Sequence, residues 1–250
     1  MLNDSDRATY EWQLDVPGFG DSGQLKLGAT TALVSRVGGL GGPLAMSLAA
    51  AGVGRIILVH GGNLEESDLN RQTLMSRQWL GRPRVECAAE TIARFKPEIE
   101  VVTVNENFTE DNACGLIAMA DIVFDCAPMF EERFLMNREC VKSRKPMIDS
   151  AMYSMHGQVM AVVPGITPCL SCVYPEVPGH WKRRFPVIGA VSSLVAQIGA
   201  LEGIKLISGV GDVSLGHLIM VDAAKMNFSK VKLSPRRHDC DICGNLHVNV

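Results

Sequence analysis

The sequence lacks the features that mark membrane, secreted and nucleic-acid-binding proteins. Its 250 residues carry a net charge of −3, so no excess of positive charge indicates binding to nucleic acid or to a membrane surface. It contains no hydrophobic run of about 18 residues, the length that spans a bilayer. Residues 1–13 are polar and lack the apolar core of a signal peptide. Together with the lack of repeats and low-complexity segments, these absences predict a cytoplasmic protein without a nucleic-acid or membrane partner.

The composition is that of an ordinary globular protein, with 47% hydrophobic and 20% charged residues. A chain of this length can bury a substantial core, and we interpret residues 1–250 as one domain. Strand and helix patterns alternate up to residue 149, which predicts a doubly wound, mostly parallel α/β sheet. The predicted strands are Ala32–Ser35, Arg55–Val59, Glu100–Val104, Ile122–Asp125 and Pro146–Asp149. The predicted helices are Pro43–Ala51, Glu86–Phe95, Glu110–Met119 and Phe130–Lys142.

The pattern changes after residue 150. A strand over Gly157–Val163 and a strand pair over His217–Val221 and Asn227–Leu233 predict an antiparallel extension of the sheet. Between them lies a long apolar helix, Val187–Ile207, whose small residues suit close packing or a subunit contact. The basic run Lys182–Arg184 just before this helix is interpreted as a solvated surface.

The stretch Thr31–Val59 has the pattern of one βαβ unit, in which a glycine-rich turn joins the first strand to an alanine-rich helix. The glycines of the turn are Gly38, Gly39, Gly41 and Gly42. Free N–H groups and the helix dipole make such a turn an anion site, usually for a nucleotide phosphate. The alternative is a tight turn without a ligand. Arg36 keeps this alternative open, because a dinucleotide fingerprint has its first glycine at that position.

Eight cysteines is a high number for a cytosolic protein. Four of them form two Cys-x-x-Cys pairs, Cys169 with Cys172 and Cys240 with Cys243, which predict one tetrahedral zinc site in a reducing compartment. Two unrelated pairs, or disulfides, are the alternative. The remaining four lie in apolar surroundings and are predicted to be buried thiols: Cys87, Cys114, Cys126 and Cys140.

The order of several motifs resembles the ThiF/MoeB/HesA family, relatives of ubiquitin-activating enzymes, and the resemblance covers nearly the whole chain. The motifs are Pro17–Gly20, Gly38–Gly41, Asp68–Gln72, Gly81–Arg84, Asp125–Ala127 and the two cysteine pairs. The resemblance implies a Rossmann-like nucleotide-binding part over residues 28–150. It assigns the crossover loop, a dimer helix and zinc-bound β structure to residues 151–250.

The resemblance also implies an activity and a set of site residues. Family members are typically homodimers with a structural zinc ion. They bind ATP and magnesium and adenylate the C-terminal glycine of a small ubiquitin-like sulfur-carrier protein, which requires cations on the phosphates. By matching position, the catalytic residues are Arg71, Arg84 and Asp125. The implied nucleotide-binding residues are Arg36, Gly38, Gly39, Gly41, His60 and Gln72.

Several positions depart from the family pattern in the nucleotide site. His60 and Gly62 replace two aspartates that hold the ribose of ATP in the family. Arg84 replaces a lysine, which exchanges a compact ammonium group for a broad planar fork. Pro128 stands at the position of the magnesium-binding aspartate, and Asp68 at that of an asparagine.

Further departures concern the partner and the intermediate. Trp12 replaces an arginine that reaches across the dimer in the family. No cysteine lies within Val173–Pro186, where relatives that form a thioester or persulfide have one.

Three functions are therefore compatible with the sequence. The first is adenylation of a carrier protein or other carboxylate with altered nucleotide handling, in which Arg36, Arg71 and Arg84 converge to hold the anion. The second is a non-catalytic binding or scaffold protein that keeps the fold, the dimer and the zinc site. The third is binding of a different nucleotide or of an anionic metabolite at the same place.

Overall fold

One sheet of eight strands runs through the part of the chain that is described. The structure is a computed structural model that describes residues 1–178 and 185–246, so the basic run Lys182–Arg184 lies outside the described residues. The strands are β1 (Thr31–Ser35), β2 (Arg55–Val59), β3 (Glu100–Val104), β4 (Ile122–Asp125), β5 (Met147–Tyr153), β6 (His156–Val162), β7 (His217–Asp222) and β8 (Asn227–Lys232). Their order in the sheet is β3-β2-β1-β4-β5-β6-β7-β8.

The sheet has a parallel half and an antiparallel half, as the sequence predicted. Strands β1 to β5 pair in parallel, and strands β5 to β8 pair antiparallel. The fold is therefore a mixed, Rossmann-like α/β fold with an antiparallel C-terminal extension. Strand β5 continues to Tyr153, four residues beyond its predicted end, because its second half pairs with β6 in a hairpin.

Eight helices accompany the strands in the described residues. They are α1 (Asp4–Leu14), α2 (Gly20–Gly28), α3 (Gly41–Ala51), α4 (Arg84–Phe95), α5 (Ala113–Ala118), α6 (Phe130–Lys142), α7 (Leu170–Val173) and α8 (Gly189–Ser208). The prediction for α5 was too long: Asn112 accepts a hydrogen bond from Thr109 N–H and donates to Asn107 O, so residues 107–112 form a turn. Near the N-terminus, Pro17 and Gly18 separate the two helices α1 and α2.

Successive strand residues point into two different cores. Ala32 and Val34 of β1 lie in the core that also contains residues of α3, α4 and α8, whereas Leu33 lies in the core on the opposite face. The second core contains residues of α5 and α6. This alternation is what a sheet covered by helices on both faces requires, and it leaves the strand ends as the place where polar groups collect.

Helix α8 packs closely on the sheet because it carries glycines. A Cβ atom on Gly203 would lie 2.3 Å from Phe124 Cζ, and one on Gly199 would lie 2.4 Å from Ser150 Oγ. By length and composition alone, α8 is also long and apolar enough to cross a membrane. The sequence had been expected to contain no hydrophobic run of that length. The helix is weak evidence for a span, since core helices meet the same criterion and α8 packs against α3, β5 and β6.

Candidate functional site

A crevice opens at the carboxyl ends of β1 and β4. The chain runs from β1 outward to β2 and β3 on one side, and β4 continues on the other side. This reversal of strand order is the point at which open α/β sheets bind their ligands. The crevice contains about 750 Å³ of empty space, part of it open to solvent.

The crevice brings together seven of the nine residues that the sequence proposed for catalysis or nucleotide binding. The seven lining residues are Arg36, Gly38, Gly39, His60, Arg71, Gln72 and Arg84. Gly41 is buried at the start of α3, and Asp125 is fully buried beneath the crevice; neither of them lines it. Residues that the sequence did not propose, among them Ser192 from α8 and Met152 from β5, complete the walls.

The glycine-rich turn is tight for reasons within the chain itself. A Cβ atom on Gly41 would lie 2.5 Å from Arg36 O, and one on Gly39 would lie 2.9 Å from Ser192 Oγ. Arg36 adopts a left-handed backbone conformation with φ of 58°, which is uncommon for a residue with a side chain. Close packing therefore accounts for Gly39 and Gly41 without a ligand. The turn still delivers the N-terminus of an 11-residue helix to the crevice, where N–H groups favour an anion.

Asp68 holds two of the three arginines. Its buried carboxylate accepts from Arg84 Nε at 2.9 Å and from Arg84 Nη2 at 2.7 Å. Its other oxygen accepts from Arg71 Nη2 at 3.3 Å, and Arg71 also donates to Ser67 O at 2.6 Å. Asp68 lies in a single turn of 3-10 helix, Glu66–Asp68, and caps that turn through Glu65 N–H. The sequence noted Asp68 only as a departure from the family pattern.

The third arginine is bound by Glu132. Arg36 Nε lies 3.0 Å and 2.8 Å from the two carboxylate oxygens, and Arg36 Nη2 lies 2.5 Å from Oε2. Glu132 is in the first turn of α6 and is mostly buried. The three arginines thus line one crevice, and Asp68 and Glu132 balance two of their three positive charges. The sequence missed Glu132, because nothing local connects it to Arg36.

Gln72 and His60 occupy the remaining polar wall. Both side chains are nearly buried. Gln72 Oε1 has no hydrogen-bond partner among the described residues, which is rare for a buried acceptor and calls for an explanation. A hydroxyl or amino group of a bound ligand can provide the missing donor.

Asp125 belongs to a buried group of charges below the crevice. Its Oδ1 accepts from Ala127 N–H at 2.9 Å, and its Oδ2 lies 3.7 Å from Arg133 Nε. Arg133 itself donates to both oxygens of Asp149, at 2.7 and 2.8 Å from Nη2. Burial, and then the charge of Asp149, raise the pKa of Asp125 well above its ordinary value. One guanidinium therefore faces two carboxyl groups, and the raised pKa of Asp125 favours the protonated form of that group.

A groove adjoins the crevice along the antiparallel half of the sheet. It contains about 1030 Å³ of empty space, much of it open, and it shares Ala151 and Met152 with the crevice. Phe130 packs edge-on against Tyr174 at a ring distance of 5.3 Å, and Tyr174 exchanges hydrogen bonds with Gln158 at 2.7 and 2.9 Å. The sequence did not identify this groove.

The two Cys-x-x-Cys pairs come together as one cluster. The sulfur atoms of Cys169 and Cys172 are 3.9 Å apart, those of Cys169 and Cys240 are 3.8 Å apart, and those of Cys172 and Cys243 are 3.4 Å apart. Four sulfurs about 2.3 Å from one tetrahedral ion are separated by about 3.8 Å. The four cysteines are free thiols within 4.8 Å of one another and could hold a metal ion.

Neighbouring side chains support the two cysteine loops. Asn137 of α6 accepts from Leu170 N–H at 2.9 Å, and Arg236 donates to the carbonyl oxygens of Cys243 and Leu246, each at 2.6 Å. Of the other four cysteines, three are buried as predicted. Cys114 is exposed, so the prediction was wrong there; the shortened α5 buries Ala113, Leu116 and Ile117 and turns Cys114 outward.

Comparison with known proteins gives concordant relatives. The ThiF family model matches residues 10–242. The heterocyst protein HesA of Trichormus variabilis is 45% identical over 244 residues, which are 98% of this chain and 91% of HesA. The adenylyltransferase and sulfurtransferase MOCS3 of Drosophila yakuba is 35% identical over 97% of this chain, but this chain spans only 54% of that longer protein.

Solved structures of MccB from E. coli share the fold. MccB with MccA-N7isoASN superposes with a TM-score of 0.86 at 24% identity and covers 97% of this chain and 76% of MccB. MccB with ATP superposes with a TM-score of 0.81 at 20% identity and covers 98% of this chain and 83% of MccB. At these identities the superposition establishes the fold alone.

Proposed function

The chain belongs to the ThiF family, and we propose that it adenylates the carboxylate at the C-terminus of a small protein or peptide. A nucleotide binds in the crevice, and the carboxylate reaches it through the adjoining groove. The observation that carries the proposal is that crevice and groove meet at Ala151 and Met152. MOCS3 is named as an adenylyltransferase and sulfurtransferase, and MccB has been solved with ATP and with MccA. These relatives support a nucleotide in the crevice and a protein or peptide in the groove. A small ubiquitin-like sulfur carrier is the partner that the family pattern favours.

The chemistry assigns a task to each part of the crevice. A carboxylate oxygen attacks the α-phosphorus of ATP, the bond to the bridging oxygen of the β-phosphate breaks, and pyrophosphate leaves. The N–H group of Gly39 meets the phosphates at the start of α3, whereas Gly38 N–H already donates to Arg36 O within the turn. Arg71 and Arg84, held by Asp68, face the charge that develops on the phosphates. Gln72 Oε1 accepts a hydrogen bond from a donor on the nucleotide.

The residues present do not fit a magnesium ion held by carboxylates. Pro128 offers no side-chain oxygen at the family's aspartate position, and Asp125, whose pKa is raised by burial, is fully buried and does not line the crevice. Among the described residues that line the crevice, Asp68 is the one carboxylate, and two arginines already occupy it. We therefore assign no step to magnesium.

We expect ATP to bind and ATP–pyrophosphate exchange to be slow. The charge of the leaving pyrophosphate meets arginines whose own charge is partly balanced, so the transition state gains less than it would from a metal ion. The measurement is exchange of labelled pyrophosphate into ATP, with candidate carriers that end in Gly-Gly. The double variant Pro128→Asp with Met129→Asn restores a metal-binding pattern and should raise exchange about tenfold, or about 1.4 kcal/mol in barrier height.

Two single-residue variants serve as controls for the exchange assay. Arg71→Ala should abolish exchange, whereas Arg77→Ala, an exposed arginine paired with Glu66, should leave it unchanged. Fast exchange in the unaltered protein would mean that the arginines suffice and that the importance given to position 128 is misplaced.

A non-catalytic binding protein is the second candidate, and one observation favours it. Asp125 is fully buried, and burial raises its pKa, while Pro128 replaces the second aspartate of the family, so a charged pair of aspartates is disfavoured there. Captured carrier protein with bound ATP, but without exchange for any carrier, would favour this candidate. Displacement of ATP by an unrelated anionic metabolite would favour the third function, a site for a different ligand.

The protein is further proposed to be a homodimer. Helix α2 packs against both α1 and α8. Each of the three helices exposes a large apolar side chain, namely Trp12, Leu25 and Leu201. Exposed apolar surface of this kind marks an interface, and two-fold pairing is the commonest solution. Light scattering at micromolar concentration should give twice the chain mass of 27.1 kDa. Leu201→Glu should shift this mass toward the monomer, and a monomeric unaltered protein contradicts the proposal.

A further inference from the structure

The ion pair between Arg36 and Glu132 has the geometry of ligand recognition. Two guanidinium nitrogens engage both oxygens of one carboxylate, at distances between 2.5 and 3.0 Å. This is the forked arrangement with which arginine binds carboxylate and phosphate groups in ligands. Arg36 lines the crevice. The carboxylate of Glu132 therefore occupies the place in which an anionic ligand would bind Arg36.

The two partners differ in their freedom to move. Glu132 is in the first turn of α6, its side chain is only 7% exposed, and Phe108 N–H approaches its Oε1 at 3.5 Å. The next residue, Arg133, is fixed by Asp149. Arg36 lies in the loop after β1 and has a long side chain with several rotatable bonds. A change of partner therefore moves the arginine, and the glutamate stays in place.

We propose that Glu132 is an internal competitor for the anion in the crevice. It holds Arg36 in the ligand-free protein, and a phosphate or pyrophosphate group gains Arg36 only by displacing it from Glu132. The inference rests on the proposed function in that the crevice is taken as the anion site. It adds that the affinity for the anion is set by this competition, because a ligand's apparent affinity falls with the fraction of protein that is ready to bind it.

Removal of the competing charge should strengthen anion binding. Glu132→Gln keeps the shape of the side chain but releases Arg36 from a charged partner. We expect this variant to bind pyrophosphate, and ATP without magnesium, about tenfold more tightly in calorimetric titration, which corresponds to about 1.4 kcal/mol. The gain should vanish when Arg36→Gln is added, since the two residues act as one unit in a double-mutant cycle.

A matched control separates competition from a general loss of negative charge. Glu139→Gln removes a mostly buried carboxylate from the same helix, where it pairs with Arg138 at 2.9 Å, and it should leave pyrophosphate affinity unchanged. The unaltered protein provides a measurement that does not depend on any variant folding. In NMR spectra, the Nε–H signal of Arg36 should move when pyrophosphate is titrated in.

The outcomes are distinct. The inference is overturned if Glu132→Gln binds pyrophosphate no better than the unaltered protein, if the gain persists with Arg36→Gln, or if Glu139→Gln gains as much. An Arg36 signal that does not respond to bound pyrophosphate also overturns it. Tighter pyrophosphate binding without any exchange activity supports the competition while rejecting adenylation. Exchange activity together with an unchanged pyrophosphate affinity in Glu132→Gln supports adenylation while rejecting the competition.

Discussion

Arg133→Met should lower the free energy of unfolding by about 3–5 kcal/mol at neutral pH, the cost of leaving a buried charge without its partner. Arg133 is 1% exposed and Asp125 and Asp149 are fully buried. The guanidinium group lies over the Phe130 ring, 4.5 Å from its centroid, and gives three hydrogen bonds to Asp149. Methionine fills much of the volume but leaves two carboxyl groups facing each other in the core.

The loss should depend on pH in a defined direction. Without Arg133, the buried Asp125 loses the cation that favours its charged form, so its pKa in the folded state rises still further above that in the unfolded chain. Such groups contribute full stability below the unfolded pKa of about 4 and lose it as pH rises toward the folded pKa. The deficit of Arg133→Met, measured by urea unfolding against the unaltered protein at each pH, should therefore be smaller at pH 5 than at pH 8.

Asp125 gives the companion measurement in the presence of Arg133. Its pKa is raised by burial and by Asp149, so its protonation stabilises the fold at low pH and this contribution falls as pH rises through the folded pKa. Asp125→Asn is neutral at every pH and can keep the bond from Ala127 N–H. Its stability relative to the unaltered protein should rise between pH 5 and pH 8.

Arg138, on the same helix as Arg133, provides a control for the cost of losing an arginine. Arg138 is 40% exposed and pairs with Glu110 and Glu139. Arg138→Met should cost no more than about 1 kcal/mol, because the pair with Glu110 is exposed and Lys142 remains 3.7 Å from the mostly buried Glu139. A cost for Arg133→Met as small as that of the control, or a deficit that grows as pH falls, contradicts the assigned charges.

The boundaries of several strands and helices could be predicted from the sequence, and two could not. The bounds of β2, β3, β4 and α6 agree with the prediction, because each is a short apolar run or a clear helical period between turn signals. The boundary of α5 was missed, since Asn112 satisfies the turn before it by side-chain hydrogen bonds. The length of β5 depends on its hairpin with β6, a pairing that local pattern does not encode.

The sequence identified several residues that line the crevice, but it did not identify the carboxylates that bind its arginines. The glycine-rich turn and the Asp68–Gln72 segment are local patterns, so the sequence could place Arg36, Arg71 and Arg84 at one crevice. Glu132 is 96 positions from Arg36, and Arg133 is 16 from Asp149. Ion pairs between distant residues leave no periodic trace in the sequence, and therefore the carboxylates that hold these arginines were recognised only in the folded chain.

Loss of metal from the cysteine cluster is the other change with a large expected effect. We propose that the ion is zinc, because four thiolates at tetrahedral spacing are its preferred structural ligands. The freshly purified protein should contain one zinc per chain by elemental analysis. Cys240→Ser should reduce this content to near zero, because a serine hydroxyl does not replace a thiolate as a zinc ligand.

The stability cost follows from what the cluster joins. Cys169 is the N-cap of α7 and Cys172 lies within it, and Asn137 links α7 to α6. Cys240 and Cys243 lie in the tail that Arg236 supports. The Arg236 hydrogen bonds lie within the tail, and the tail packs on the core that contains α6 through Ile242 and Leu246. A metal ion held by all four sulfurs would join the two segments directly. Structural zinc contributes about 10–16 kcal/mol of apparent binding free energy in small peptides. Loss of the ion should cost this protein only part of that free energy, because the sheet is also stabilised by its two hydrophobic cores.

We therefore expect Cys240→Ser, and chelation of the unaltered protein, to lower thermal stability together and to loosen the tail from residue 234 onward before the sheet melts. Hydrogen exchange of the tail amides should rise by orders of magnitude, while those of β1 and β4 stay protected. Cys114→Ser is the matched control, because Cys114 is exposed on α5, outside the cluster. It should change neither metal content nor tail exchange. Full zinc content in Cys240→Ser, or a tail that remains protected after chelation, would show that the four sulfurs meet without a structural ion.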